Sequence, residues 1–254
     1  MKVTAVSSRV SILAFCVAGA LGLGVARAEL IHRYSFTEPA AKGGDVKDLV
    51  GKVDGKLKGE ATVADGKLVL ANGDKTSDDA TLSYLEFSAS VLPKGDSVSL
   101  AIWFTAKETG NFARLINIGD KEGSEGRAFI YLTPRNADGS TRWAITATDA
   151  ASKTAIDSDG LDDGKPHLAV LVIDGKAKKL RAFVDGKELA EAQDLGDNTL
   201  DKVKAVSSWI GRSAFDADTG LSGTVDEFRV YDTALTAAEV DAVFKAGADK
   251  LPAK

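Results

Sequence analysis

The stretch "HLAVLVIDGKAKKLRAFVDGKEL", residues 167–189, is two apolar runs folded back on each other. Residues 167–173 are almost continuously apolar, and residues 179–185 alternate. A glycine-containing break at Asp174-Gly175 separates them, and Asp185-Gly186 returns the chain a second time. A period of two places successive side chains on opposite faces, which marks strands rather than a helix. Asp-Gly between such runs signals a type I′ hairpin, because both central residues of that turn need positive φ. The stretch predicts an antiparallel meander.

The same pattern extends in both directions. Alternating or apolar runs occur at 30–36, 66–70, 83–87, 97–104, 113–119, 127–133, 141–147, 208–213 and 224–231, in addition to the two already named. Turn residues punctuate them roughly every ten positions, the spacing of an antiparallel sandwich or barrel. One helix is predicted after the last strand, in "TAAEVDAVFKAG" (236–247). Thr236 and Glu239 have the spacing of a capping box, Val240, Val243 and Phe244 form an apolar stripe, and Gly247 supplies a stop. No linker composition and no internal repeat breaks the chain, so residues 29–247 read as one domain followed by a frayed tail, 248–254.

Residues 1–28 read as a signal peptide. Lys2 and Arg9 precede the apolar run "SILAFCVAGALGLGV", and "ARA" at 26–28 offers a cleavage site. Export with no membrane insertion after cleavage is therefore expected, to the periplasm, the exterior or the cell surface. The only cysteine, Cys16, lies inside this segment, so the processed chain would rely on its core without disulfides. Loss of Lys2, Arg9 and Arg27 takes the net charge from −5 to −8. That sign argues against nucleic acid and anionic membranes as partners. Acids gather at 73–80, 157–163 and 216–220, as solvated turns or as calcium-seeking oxygens, but none completes the twelve-residue calcium loop.

The strand "TVDEFRVY" (224–231) places Asp226 and Glu227 side by side. Alternation groups Asp226 with Phe228 and Val230 on a buried face, and Glu227 with Arg229 and Tyr231 on a wet one. A buried carboxylate needs a cation, a metal or several donors, so Asp226 is the residue that requires a partner.

"LIHRYSF" (30–36), "DLVGKVDGKLKG" (48–59), "DSVSLAIWF" (96–104), the meander from Lys165, "SWIGRS" (208–213) and "SGTVDEFRVYDTALTAAEV" (222–240) follow one another in an order that resembles the laminin G-like, concanavalin A-like lectin–glucanase superfamily. The resemblance implies an all-β, two-sheet antiparallel jelly-roll sandwich with one short C-terminal helix. It implies little about activity, since this fold hosts lectins, adhesive modules and glycosidases. It also implies that Asp48 and Asp226 are hallmark positions. They are expected to lie near each other where the first and last strands meet, holding a structural calcium or accepting backbone donors.

The enzymatic members that the resemblance brings in carry a Glu-x-Asp-x-x-Glu strand, and that spacing is absent from the chain. Asp226 and Glu227 cannot replace it, because strand neighbours face opposite ways. His32 and His167 stand apart in sequence, offering neither a clustered metal site nor a triad. The chain is therefore expected not to be an enzyme. Trp103 and Trp209 read as core. Tyr131, Arg142 and Trp143, on the hairpin 129–146, either pack in the sandwich or present an aromatic and a guanidinium to a ligand. The expected function is a non-catalytic exported domain binding carbohydrate or another extracellular component. The alternative is a structural or adhesive protein-interaction module, and a glycoside hydrolase stands third.

Overall fold

A computed structural model describes Met1, residues 28–189 and residues 191–252. The segment expected to be a signal peptide, with Cys16, lies outside the described residues, apart from its two ends. In chain order the strands begin with β1 (Leu30–Tyr34), β2 (Asp45–Val46), β3 (Gly55–Lys58), β4 (Thr62–Ala64), β5 (Lys67–Leu70) and β6 (Tyr84–Phe87). Next come β7 (Val98–Lys107), β8 (Ile116–Glu122), β9 (Glu125–Thr133), β10 (Thr141–Thr146), β11 (Thr154–Ser158) and β12 (Asp163–Asp174). The chain closes with β13 (Lys179–Val184), β14 (Lys187–Glu188), β15 (Gln193–Asp194), β16 (Ser207–Ile210), β17 (Gly223–Tyr231) and the helix α1 (Ala237–Ala246).

Two antiparallel sheets result. The first runs β14-β13-β12-β7-β17-β5-β4, with β1 also on β17 and β15 on β13. The second runs β11-β10-β9-β8-β16-β6-β3-β2. The meander forms as the sequence predicts: β12 pairs β13 from Ala169–Val184 to Asp174–Lys179. Asp185 and Gly186 both have positive φ, 49° and 79°, as a type I′ turn requires.

The core fills the space between the sheets. Leu100, Ile102 and Phe104 on β7, Leu171 and Ile173 on β12, and Phe228 and Val230 on β17 face Ile118, Ile130, Leu132, Trp143 and Ile145 of the second sheet. The intervening residues Ala101, Trp103, Leu168, Val170, Val172 and Tyr231 point the other way and are also buried, under Leu235, Val240 and Val243 of α1 and its approach. Burial on both faces is why β7 and β12 read as continuous apolar runs instead of alternating ones. Thr236 and Glu239 form the predicted capping box. Phe244, by contrast, is exposed, lying over Gly186 rather than in the core.

β17 departs from simple alternation. Val225 opposes Phe104 and Glu227 opposes Trp103, so Asp226 is the extra residue of a β-bulge. The bulge inverts the expected burial. Glu227 and Arg229 are fully buried, and Asp226 is partly exposed with its carboxylate on Lys67. The face expected to be wet is the one that α1 and the C-terminal segment cover. That segment is not frayed as far as residue 250: the Asp249 amide donates to Glu227, and Arg229 donates to the carbonyls of Gly247 (3.2 Å) and Lys250 (2.8 Å).

Candidate functional site

Asp48 and Asp226 have separate surroundings. Asp48 accepts from the amides of Arg33 (3.1 Å), Val50 (3.2 Å), Gly51 (2.9 Å) and Val53 (3.1 Å), and its Oδ2 meets His32 Nδ1 at 2.6 Å. Gly51 is required here, since a Cβ would sit 2.5 Å from both Asp48 Oδ2 and His32 Nδ1. Burial pushes the Asp48 carboxyl up, but His32 and the amides outweigh it and hold it below its ordinary value. Calcium needs six to eight oxygens. An aspartate ringed by N–H donors and another held by an ammonium do not fit a shared ion. Among the described residues no group of three or more His, Cys, Asp or Glu gathers to hold a metal.

The hairpin β9–β10 divides its residues between two faces. Trp143 points inward with Ile130, Leu132 and Ile145, and is 0% exposed. The expectation that it flanks a ligand is corrected: strand parity sends it into the core. Tyr131 and Arg142 are on the outer face, where β10 places Ala144 opposite Tyr131 and Arg142 opposite Thr133. These two are therefore brought to one face, diagonal to each other across the pair.

A loop between β16 and β17 lies over this face. Its Ala214 amide donates to Asn117 on β8 (3.3 Å), and Phe215 packs edge-on against Phe129, centroids 5.6 Å apart. Asp218 of the same loop accepts from Arg114 Nη2 at 2.9 Å and from the Ser213 hydroxyl at 2.6 Å. The Arg114 guanidinium in turn lies over the Tyr131 ring, 4.1 Å from its centroid. Arg142 makes a two-pronged pair with Asp157 on β11, both contacts 2.6 Å. Between these groups is a groove of about 210 Å³, which Phe112, Lys153 and Phe215 also line.

Electrostatics in the groove are strained by burial. Arg114 is 4% exposed, and burial pushes its basicity down. Burial likewise pushes the Asp218 carboxyl up, although Arg114 opposes this. Burial raises Tyr131, against the charge of Arg114. Sequence reading missed Arg114, Phe215 and Asp218. Arg114 shares the parity of the core residues Ile116 and Ile118, so strand alternation would assign it to the core face, but it lies two residues before β8 begins. Phe215 and Asp218 sit in a turn whose position over the sheet no local pattern encodes.

A second polar-aromatic cluster occupies the same outer face. Trp209 on β16 meets Tyr84 on β6 edge-on at 6.3 Å, and Arg212 covers both rings, 4.9 and 4.8 Å from their centroids. Trp209 is thus buried on the outer surface of the second sheet and not between the sheets. A larger groove, about 490 Å³, opens beside β1 and α1 between Leu30, Tyr231, Val243 and Leu251. Its walls are mostly aliphatic and lack the convergent polar groups that orient a sugar.

The sequence profile of the concanavalin A-like lectin/glucanases superfamily matches residues 79–241, more than half of the chain. The chain belongs to this superfamily. None of the curated proteins compared with it matches it in sequence. Among solved structures, the carbohydrate-binding module CBM40 of the Ruminococcus gnavus IT-sialidase, bound to α2,3 sialyllactose, superposes with a TM-score of 0.51 at 17% identity. That match covers 59% of this chain and 83% of the module. Domain 4 of the extracellular arabinanase AbnA from Geobacillus stearothermophilus, in complex with arabinotriose, gives 0.51 at 16% identity over 84% of this chain and 97% of that one. Trypanosoma rangeli sialidase gives 0.61 at 18% identity over 85% of this chain but only 32% of its own. Identities this low establish a shared lectin-like sandwich and no more.

Proposed function

We propose that this superfamily member is a non-catalytic carbohydrate-binding domain, with its ligand groove on the outer face of the second sheet. One observation carries the reading: Arg114, Tyr131, Arg142, Phe215 and Asp218, remote in sequence, converge on a groove of about 210 Å³. Aromatic faces that can stack on a sugar ring, beside planar donors that can bind its hydroxyls, are what saccharide recognition requires. Two of the structural neighbours, the CBM40 module and the arabinanase domain, hold sugars on the same kind of sandwich. Asp157 and Asp218 are each held by an arginine, which supports binding over hydrolysis, because a glycosidase needs one free carboxylate and one free acid. The N-terminal segment supports export, and the ligand would then be met outside the cytoplasm.

A glycan array probed with the purified protein tests the proposal, with retention of at least one saccharide class expected. The burial of Tyr131 and Trp143 favours a second reading, a structural or adhesive module that contacts protein through its sheet face. A uniformly silent array would select it.

A further inference from the structure

We propose that the groove is built for a saccharide bearing a carboxylate, an inference that rests on the carbohydrate-binding reading. Three cations, Arg114, Arg142 and Lys153, line it in a chain whose net charge is −5. Only two carboxylates answer them, Asp218 for Arg114 and Asp157 for Arg142. The Lys153 ammonium donates to the Ala150 carbonyl at 2.9 Å, which leaves its charge without a carboxylate among the described residues.

Arg114 supplies the sharper observation. Its guanidinium is nine-tenths or more buried, Nη2 is on Asp218, and Nε and Nη1 have no hydrogen-bond partner among the described residues. A buried cation with unanswered donors is a costly arrangement unless something completes it. The chemistry that completes it best is a second anion, since charge-assisted hydrogen bonds are roughly twice as strong as neutral ones. A sugar hydroxyl would answer one donor and leave the Lys153 charge unbalanced, since Asp218 already balances Arg114 and Asp157 balances Arg142.

The ring of the saccharide has its own place. Tyr131 is already occupied by Arg114, but Phe112 and Phe215 are half-buried at the groove and can meet an apolar ring face. Phe112 holds a left-handed backbone, φ 61°, with its amide on the Arg135 carbonyl at 2.8 Å. A non-glycine residue held in that region is a strain that surrounding structure must maintain, and such residues cluster at ligand sites.

Titration calorimetry with the purified protein tests the inference. The probes are galacturonate, glucuronate and N-acetylneuraminate-terminated oligosaccharides, each beside its neutral counterpart, and sulfated galactose oligosaccharides. At least one carboxylated saccharide is expected to bind tenfold or more tighter than its neutral counterpart. That advantage should shrink severalfold in Lys153→Ala, a surface change, and disappear in Arg114→Met, whose fold is checked by circular dichroism. Raising the salt should weaken the acidic ligand and leave neutral sugars unaffected. Equal affinity for acidic and neutral forms would overturn the inference while the carbohydrate reading stands. Preference for sulfated over carboxylated forms would overturn it as well. Binding to none of these, with a silent glycan array, would overturn both.

Discussion

Glu227 and Arg33 lie 194 positions apart and form a two-pronged ion pair, Nε–Oε1 at 2.8 Å and Nη2–Oε2 at 3.2 Å. Arg229 and the Asp249 amide complete the shell around the same fully buried carboxylate. One residue of the last strand therefore ties the first strand, its own strand and the C-terminal segment together. Truncating it leaves Arg33 and Arg229 without their counter-charge. Glu227→Ala should cost about 3–5 kcal/mol, as for other broken buried pairs. Urea denaturation reads this, and a loss under about 1 kcal/mol would show that the network contributes little.

Acid should dissolve the same tie. Burial raises the Glu227 carboxyl, but hydrogen bonds from Arg33 and Arg229 prevail and hold it below its ordinary value of 4.5. A folded-state value below the unfolded one means that the unfolded chain binds the proton more readily. The contribution is thus complete above about pH 4.5, the unfolded range, and is lost as the pH falls through the folded value. Asp48, also lowered, adds to the same limb. Glu227→Gln should flatten the acid side of a stability–pH curve, and an unaltered curve would contradict the assignment.

Trp143 and Phe215 should respond in opposite ways. Trp143→Ala removes a fully buried core ring and should cost about 3–5 kcal/mol. Phe215→Ala trims a half-buried loop ring and should change the melting temperature little while weakening saccharide binding about tenfold. A Trp143→Phe protein that folds but loses its ligand would place that ring in the site after all.

Chelation should leave the thermal midpoint unchanged. Asp48 is ringed by amides and His32, and Asp226 is held by Lys67. A midpoint that falls in a chelator and recovers with calcium would reveal a metal that these donor sets do not suggest.

Every one of the apolar runs read from the sequence is a strand in the structure. Their period of two is a local property, and Asp185-Gly186 and the Thr236–Glu239 box are equally local. The short strands β2, β4 and β15 escaped because two or three residues carry no period, whereas β14 is the return of the Asp185-Gly186 hairpin. β3 and β11 escaped too, since polar residues interrupt their pattern. At the candidate site, the hairpin 129–146 has Tyr131 and Arg142 on one face, while Trp143, next to Arg142 in the chain, faces the core. Adjacent strand residues cannot share a face, so the three could never have formed one platform.

Local chemistry in the chain, its periods, turn dipeptides and caps, specifies which segments extend, where they reverse and where the helix starts. Tertiary structure alone decided the rest. The bulge at Asp226 arises from pairing with β7 and inverts which carboxylate is buried, so a residue expected to meet water became the hub of the closure. Arg114, Tyr131, Asp218 and Phe215 meet because sheet order and a loop across the outer face bring together positions 114 to 218. Such encounters depend on pairing between distant segments, and a residue's own neighbours in sequence carry no record of them.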